Sequence, residues 1–432
     1  GQFVRNGPNP MFEPIHGSGY HMFDGDGMLH GVDFENGSAS YRNRWIVSKG
    51  LQVEMGLGRG VYPGLGDLAN WPDESITGDA GPVKNPANTH IHPHAGRYVA
   101  LWEGGLPTEV TADLATVGPY DYDGRVDGMM PAMTAHPRLD PRTGEMFSFA
   151  YAPFPPYIRY FVIDATGALV HKVDLDLPAP VMMHDFLITE EHAVFLDSPI
   201  VLNIGGGEGE PVAKWMPENG ARLGVMPRMG TADDIRWFEV EPGHVQHFWN
   251  AWADGDRIEL RGARWKQVDF GYEAEGESIE VEPALPATYW VDLAKGTAGW
   301  EHFDDMGGEM CRFNDDYNGV ENRYDYMAAY THDRVGLGAF DALAAYDART
   351  GTRQVWDFGG EREVGEPVFA PDPGGSDEGD GWVLIPAVDR GATRSELHVF
   401  EATRIEDGPM AVVRLPQWVP AGFHANWFPA GA

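Results

Sequence analysis

Strand-length runs of aromatic and β-branched residues recur along almost the whole chain, and the way they are punctuated constrains the fold more than any other feature. RYVALWE (97–103), EMFSFAY (145–151), IRYFVID (158–164), HAVFLD (192–197), IRWFEV (235–240), RIELRG (257–262), ATYWVDL (287–293), YDYMAAY (324–330) and WVLIPAVD (382–389) are each short enough for one strand, and most are bounded by Gly, Pro, Asn or Asp. Helical periodicity is confined to short stretches such as 60–70. A second regularity lies between the runs: an Asp, a short gap, then a Gly, at Asp140–Gly144, Asp164–Gly167, Asp292–Gly296 and Asp347–Gly351. Asp bonds the backbone ahead of it and Gly supplies positive φ, so each segment reads as a hairpin turn.

Hairpins repeated over several hundred residues, with few helices, predict an all-β fold of the β-propeller kind, in which radial blades bury the core and protect strand edges. An array of sandwiches is the alternative, but no stretch reads as a linker long enough to separate them. The number of blades is not readable from the turns. Composition agrees with turn-rich β architecture: 432 residues, 43% apolar and 12% aromatic, carry 55 Gly and 33 Pro without a low-complexity segment. The acids outnumber the bases, 66 to 31, for a net charge of −35, which argues against nucleic acid and anionic membrane surfaces as partners. The acids are dispersed, with a denser patch only at 372–380. A lone cysteine, Cys311, excludes an internal disulfide framework and suits a reducing compartment. With no run of 18 apolar residues and no signal peptide, the expected location is the cytoplasm.

A propeller brings distant residues to one axis, so a metal site need not appear as a short motif. The strongest local pattern among the 16 histidines is His90-x-His92-x-His94, whose side chains would share one face of a strand. An ordinary hydrated surface strand ending in the turn HAGR explains it better, since histidine triplets also arise on exposed strands. His136, His184, His247 and His424 lie tens of residues apart, and spacing alone does not single them out. GGGEG (205–209) is glycine-rich but lacks the lysine of a phosphate loop, and no nucleophilic serine motif or paired acid–base carboxylates stand out.

FVRNGPNP (3–10), FDGDGMLHG (23–31), NPANT (85–89), TAHPRLDP (134–141), MMHDF around His184, the NAW after His247, GEPVF (365–369) and GFH (422–424) together resemble the carotenoid cleavage oxygenases, in the same order and over essentially the whole chain. The resemblance implies a seven-bladed propeller over residues 1–432, without the N-terminal lead segment of the family, capped by loops or short helices over a substrate tunnel. It implies Fe(II) on the axis, held by His136, His184, His247 and His424, with dioxygen as co-substrate. Glu103, Glu309 and Glu366 match the glutamates that support three of those ligands, although Met310-Cys311 stands where the family usually has Phe-Pro. Thr89 matches a residue that crowds the vacant iron position in some relatives.

The implied reaction is oxidative cleavage of a conjugated C=C bond into two carbonyls. Trp102, where stilbene-cleaving relatives carry lysine, favours a carotenoid or apocarotenoid over a lignostilbene or resveratrol. Met182, two residues before His184, would share its face on a strand; Met310 is a further candidate wall, and Gln246 a polar intrusion beside His247. The segment 50–72, which relatives use as an apolar membrane-contacting mouth, is only mildly apolar here, so at most weak peripheral membrane contact is expected. Two other classes of function stand beside this one. A non-catalytic binding propeller would have no reason to gather four histidines and three glutamates, and a Ca²⁺-dependent hydrolase would need axial Asp and Asn oxygens.

Overall fold

The computed structural model describes residues 1–13, 15, 22–64, 70–204, 211–268, 282–332, 339–389, 391 and 393–430, and in it every run named above forms a strand over most of its length. The four Asp–Gly segments each close a hairpin, between Arg138–Leu139 and Met146–Tyr151, Ile158–Ile163 and Leu169–Leu175, Leu285–Asp292 and Thr297–His302, and Ala342–Asp347 and Thr352–Asp357. Their glycines sit at φ of 67° to 88°. Each Asp carboxylate accepts from an N–H two or three residues on, at 2.8–3.0 Å (Arg142, Thr166, Lys295, Arg349).

The strands form seven antiparallel blades around one axis. His90–His94, Arg138–Leu139, Leu187–Ile188, His244–Asp254 and Gly308–Phe313 are the first strands of blades two to six, and the five-stranded seventh blade holds both Arg362–Val364 and Val368–Pro371 against Gly381–Asp389. The first blade is composite. Gln2–Pro8, Gly27–Glu35 and Ser38–Trp45 are completed on the inside by Ala425–Phe428, which runs antiparallel to the first strand with Gln2 opposite Phe428 and Arg5 opposite Ala425. Seven blades are what the resemblance implied.

The core lies between blades. Val4 and Leu29 pack on Ile91 and Ala100, Tyr122 and Met133 on Met146 and Phe161, and Phe149 and Tyr160 on Phe186 and Phe195. Leu223 and Val225 meet Phe248 and Tyr289, and Trp249 meets Met327. Tyr326 then meets Val383 and Phe400, and Leu384 meets Phe3, which closes the ring. Each sheet is therefore covered on both faces, which is why its strands read as continuous apolar runs.

The helix in this part of the chain is displaced from 60–70. Lys49–Leu57 is helical, capped at its start by the Ser48 hydroxyl and ended by Gly58 at φ 69°. Residues 60–64 are not helical, and 65–69, like the glycine-rich 205–209, lie outside the described residues. The helix is fixed by a buried triad: Lys84 Nζ is 3.0 Å from both Asp26 and Glu54, and Glu54 also accepts the Val61 N–H at 2.9 Å. Met55, Leu57, Trp71 and Ile76 are exposed on this segment, and no helix among the described residues is long and apolar enough to cross a membrane.

Candidate metal centre

His136 and His184 lie just before the inner strands of blades three and four, His247 lies within that of blade five, and His424 immediately precedes Ala425–Phe428 of blade one. Their ligand nitrogens all lie within 4.8 Å of one another, and all four residues are buried. Among the described residues this is the one group of His, Cys, Asp or Glu close enough to hold a metal ion.

The imidazoles point their Nε2 atoms inward. His136 Nε2 and His184 Nε2 are 2.9 Å apart, and His247 Nε2 is buried without a hydrogen-bond partner among the described residues. Three of the rings are held from behind: His184 Nδ1 is 2.7 Å from Glu103 Oε2, His247 Nδ1 2.6 Å from Glu309 Oε2, and His424 Nδ1 2.9 Å from Glu366 Oε1. A carboxylate on Nδ1 fixes the tautomer that leaves Nε2 free as a ligand. Burial first, then the charge of the neighbouring rings, keeps His136 and His424 well below the usual imidazole range, so both are neutral. Burial also pulls His247 down, but the charge and hydrogen bond of Glu309 outweigh it and leave the group above its ordinary value. An orphaned nitrogen gathered with three other imidazole nitrogens is what a borderline cation such as a first-row transition metal would satisfy. The residues fit such an ion.

One carboxylate ties three ligand-bearing segments together. Asp185, next to His184, accepts from Arg138 Nη2 at 2.6 Å and from the Phe248 N–H at 2.9 Å, so it links segments adjoining His136 and His247. Arg138 also donates to the Phe186 and Trp249 carbonyls, at 2.8 and 3.1 Å.

The His90 triplet takes no part in the group. His90 lies beside it, its ring 5.2 Å from that of His424, but its Nδ1 donates to the Ala135 carbonyl at 2.7 Å and its Nε2 is 3.2 Å from Asn426 Nδ2. His92 and His94 bond the carbonyls of Pro93 and Gly144, at 3.1 and 3.0 Å. The Thr89 carbonyl accepts the His424 N–H at 3.1 Å, which puts Thr89 against the centre.

Trp102 is half-buried and lines a pocket with Phe23, Tyr62, Pro63 and Pro86. Met182 is not in a strand: its N–H bonds the Ile200 carbonyl at 2.9 Å in an irregular segment, so the alternation argument does not reach it. Gln246 Oε1 is 2.8 Å from His244 Nε2, which occupies its amide oxygen. Met310 is buried at φ 61° in a bulge between Glu309 and Arg312. The bulge faces Glu309 toward His247 and sends Met310 and Cys311 into the interfaces on either side of blade six.

Spacing and resemblance missed the residues that hold the glutamates. Arg312 Nη1 is 3.2 Å from Glu366 Oε2, which also accepts the Ala425 N–H at 2.7 Å. Trp265 Nε1 donates to Glu309 Oε1 at 2.9 Å. The Tyr151 phenol is pushed well above its ordinary range by burial and by the Glu103 carboxylate it faces. The only sign of Arg312 in the sequence is a lone cation three residues after Glu309, which nothing local ties to Glu366.

A seven-bladed propeller whose axis gathers four imidazoles backed by three carboxylates defines a class of metal-dependent enzyme, and comparison with known proteins places the chain within it. The family described as Retinal pigment epithelial membrane protein (RPE65) matches residues 1–429. The carotenoid 9,10(9',10')-cleavage dioxygenase of Crocus sativus is 33% identical over 458 residues, covering 98% of this chain and 83% of that protein. The isoeugenol monooxygenase of Pseudomonas nitroreducens is 30% identical, covering 99% and 92%. Among solved structures, the lignostilbene dioxygenase of Pseudomonas brassicacearum superposes with a TM-score of 0.91 at 28% identity, covering 100% of this chain and 92% of that one. The chain belongs to this carotenoid oxygenase family and is an oxygenase of the carotenoid cleavage type.

Proposed function

We propose that the protein is an iron(II)-dependent dioxygenase that cleaves a conjugated C=C bond of a carotenoid or apocarotenoid into two carbonyl products. The observation that carries this reading is the inward turn of four buried imidazoles, three of them held by carboxylates. On this reading residues 1–432 form one propeller domain serving one site. His136, His184, His247 and His424 hold the iron, and Glu103, Glu309 and Glu366 keep three of them in the ligating tautomer. Bound iron(II) would supply the activation of molecular oxygen, the co-substrate. The rest falls to the chain's own residues. Thr89 crowds the open side of the centre. Trp102, Met182 and Met310 provide apolar wall that orients the polyene and excludes water, with Gln246 as its polar exception. At a net charge of −35, contact with an anionic membrane is at most weak and peripheral, in keeping with a cytoplasmic protein.

A second reading, cleavage of lignostilbene, resveratrol or a related phenylpropanoid, is favoured by the likeness to lignostilbene dioxygenase and isoeugenol monooxygenase. One experiment separates the two. Iron-loaded protein is given oxygen with an apocarotenoid, with resveratrol and with isoeugenol in parallel, and oxygen uptake is matched to carbonyl products. Uptake with two carbonyls from the apocarotenoid supports the first reading. Turnover of the phenols alone replaces it with the second, and no turnover of any polyene or phenol sinks both.

A further inference from the structure

Arg5, in the strand Gln2–Pro8, is a buried cation that faces the charges of Glu363 and Glu366 without an ion pair to either among the described residues. It is 5% exposed, and among the described residues its one side-chain hydrogen bond runs from Nη2 to the Pro420 carbonyl at 3.2 Å. Its Nε has no partner, and among the described residues no carboxylate forms an ion pair with it. A guanidinium presents five N–H donors in a rigid fork, and burying it with one acceptor is costly unless something else supplies oxygen. Burial lowers its pKa to about 10 against the opposing charges of Glu363 and Glu366, so it is cationic throughout the neutral range. The approach of Arg5 depends on a glycine: a Cβ on Gly422 would fall 2.6–2.8 Å from the guanidinium.

The place of Arg5 gives this a meaning. It lines a pocket with Glu363, the apolar Met22 and Phe340, and Met310, Gly365 and Gly422, which lie one or two residues from Glu309, Glu366 and His424 in the chain. The pocket lined by Trp102, next to Glu103, includes Phe23, whose ring packs on Phe423 at 5.3 Å. The turn Met22–Asp24 thus contributes to two pockets, Phe23 and Asp24 to the one lined by Trp102 and Met22 to the one lined by Arg5.

We propose that Arg5 is a specificity-determining residue that donates from its guanidinium to an oxygen at the end of the substrate remote from the cleaved bond, so that the enzyme selects an oxygen-terminated substrate over the matching hydrocarbon. This rests on the oxygenase reading above. It adds to that reading a polar terminus that the apolar pocket at Trp102 does not predict.

The test compares a ring-hydroxylated apocarotenal with its deoxy counterpart on the iron-loaded protein. A charge-assisted hydrogen bond should favour the hydroxylated compound by about 10–150-fold in kcat/KM. Arg5→Met should bring the ratio close to one by raising KM for the hydroxylated compound, with kcat little changed, and Arg5→Lys should keep part of the preference. Equilibrium binding of both compounds, read by quenching of tryptophan emission, is measured alongside. If neither compound is cleaved but the hydroxylated one binds more tightly, the oxygenase reading fails and the role of Arg5 survives. Equal affinity and equal kcat/KM in the unmodified protein overturn the proposal and leave Arg5 a structural cation satisfied by water or a small anion. An unchanged preference in Arg5→Met overturns it as well. If Arg5→Met does not fold, the unmodified protein and Arg5→Lys still decide.

Discussion

Arg312 grips Glu366 from the side opposite His424, with Nη1 3.2 Å from Oε2 while Oε1 faces the histidine at 2.9 Å. The other two glutamates are held by neutral groups, the Trp265 indole for Glu309 and the Tyr151 phenol for Glu103. The three histidines backed by carboxylates are therefore inequivalent, because a carboxylate shared with a cation gives less of its charge to the ring behind it. Arg312→Gln should leave Glu366 buried without its cation and weaken metal retention by about 10-fold, while Arg312→Lys keeps part of it. Loss of metal to a chelator and the visible spectrum of the cobalt-loaded protein would show this. An unchanged off-rate and spectrum would reduce Arg312 to packing.

Alanine at His136, His184, His247 or His424 should each abolish near-stoichiometric iron, whereas His90→Ala should retain it because both its ring nitrogens are engaged elsewhere. Glutamine at Glu103, Glu309 or Glu366 should lower metal affinity or activity by about 10–100-fold. Elemental analysis beside oxygen uptake checks both expectations, and iron lost from the His90 variant alone would reverse the assignment.

Asp185→Ala should act on three ligand-bearing segments at once, since its carboxylate joins Arg138 to the Phe248 amide. Removing one partner of a buried pair leaves Arg138 uncompensated and costs about 3–5 kcal/mol. A lowered denaturant midpoint together with reduced iron content is the expected result. A stability loss with full iron content would separate the pair from the centre.

Trp102→Lys should reduce polyene cleavage, because an ammonium would replace a broad apolar face in its pocket. It would admit a phenol only if the rest of the pocket accommodates one. Product aldehydes from an apocarotenoid and from resveratrol measure both effects, and unchanged polyene turnover would remove Trp102 from the substrate path.

Acid should destabilise the metal-free protein from about pH 6.5 downward. Burial takes His30 to about 3 and His92 to about 4. The unfolded chain protonates these groups near their ordinary value of 6.5, so between that pH and about 4 it binds more protons than the fold, and stability falls as pH falls. Each contributes on the order of a few kcal/mol over the full window. Between pH 5 and 6.5 few carboxylates titrate, so urea midpoints there isolate the histidines. A flat response would show that the rings are solvated in the fold.

The blade strands were legible because each sheet is buried on both faces, and the turns because Asp and Gly do their work within a few residues of themselves. The helix was misplaced because its stop is a single glycine, Gly58, and the nine residues before it carry a weak apolar stripe. The four histidines were not legible by spacing: 288 residues separate His136 from His424, and only the ring closure makes them neighbours. The resemblance supplied them. Arg312, Trp265 and Asp185 stayed hidden for a related reason. Each acts on a residue from another blade or another strand, and the sequence around it looks like any other strand. For Met182 only the strand argument fails, because the segment near His184 is irregular where alternation assumed a strand.

The junction of His424 with the strand that pairs to Gln2–Pro8 sets an order of events. His136, His184 and His247 belong to three consecutive blades and can approach one another while the rest of the chain is still being made. The fourth imidazole arrives with the segment that fastens the last part of the ring to the first, so a full coordination set exists only after the circle has shut. Metal occupancy is therefore a readout of completed assembly, and a molecule whose ring has slipped open should release its ion before its blades lose their strands.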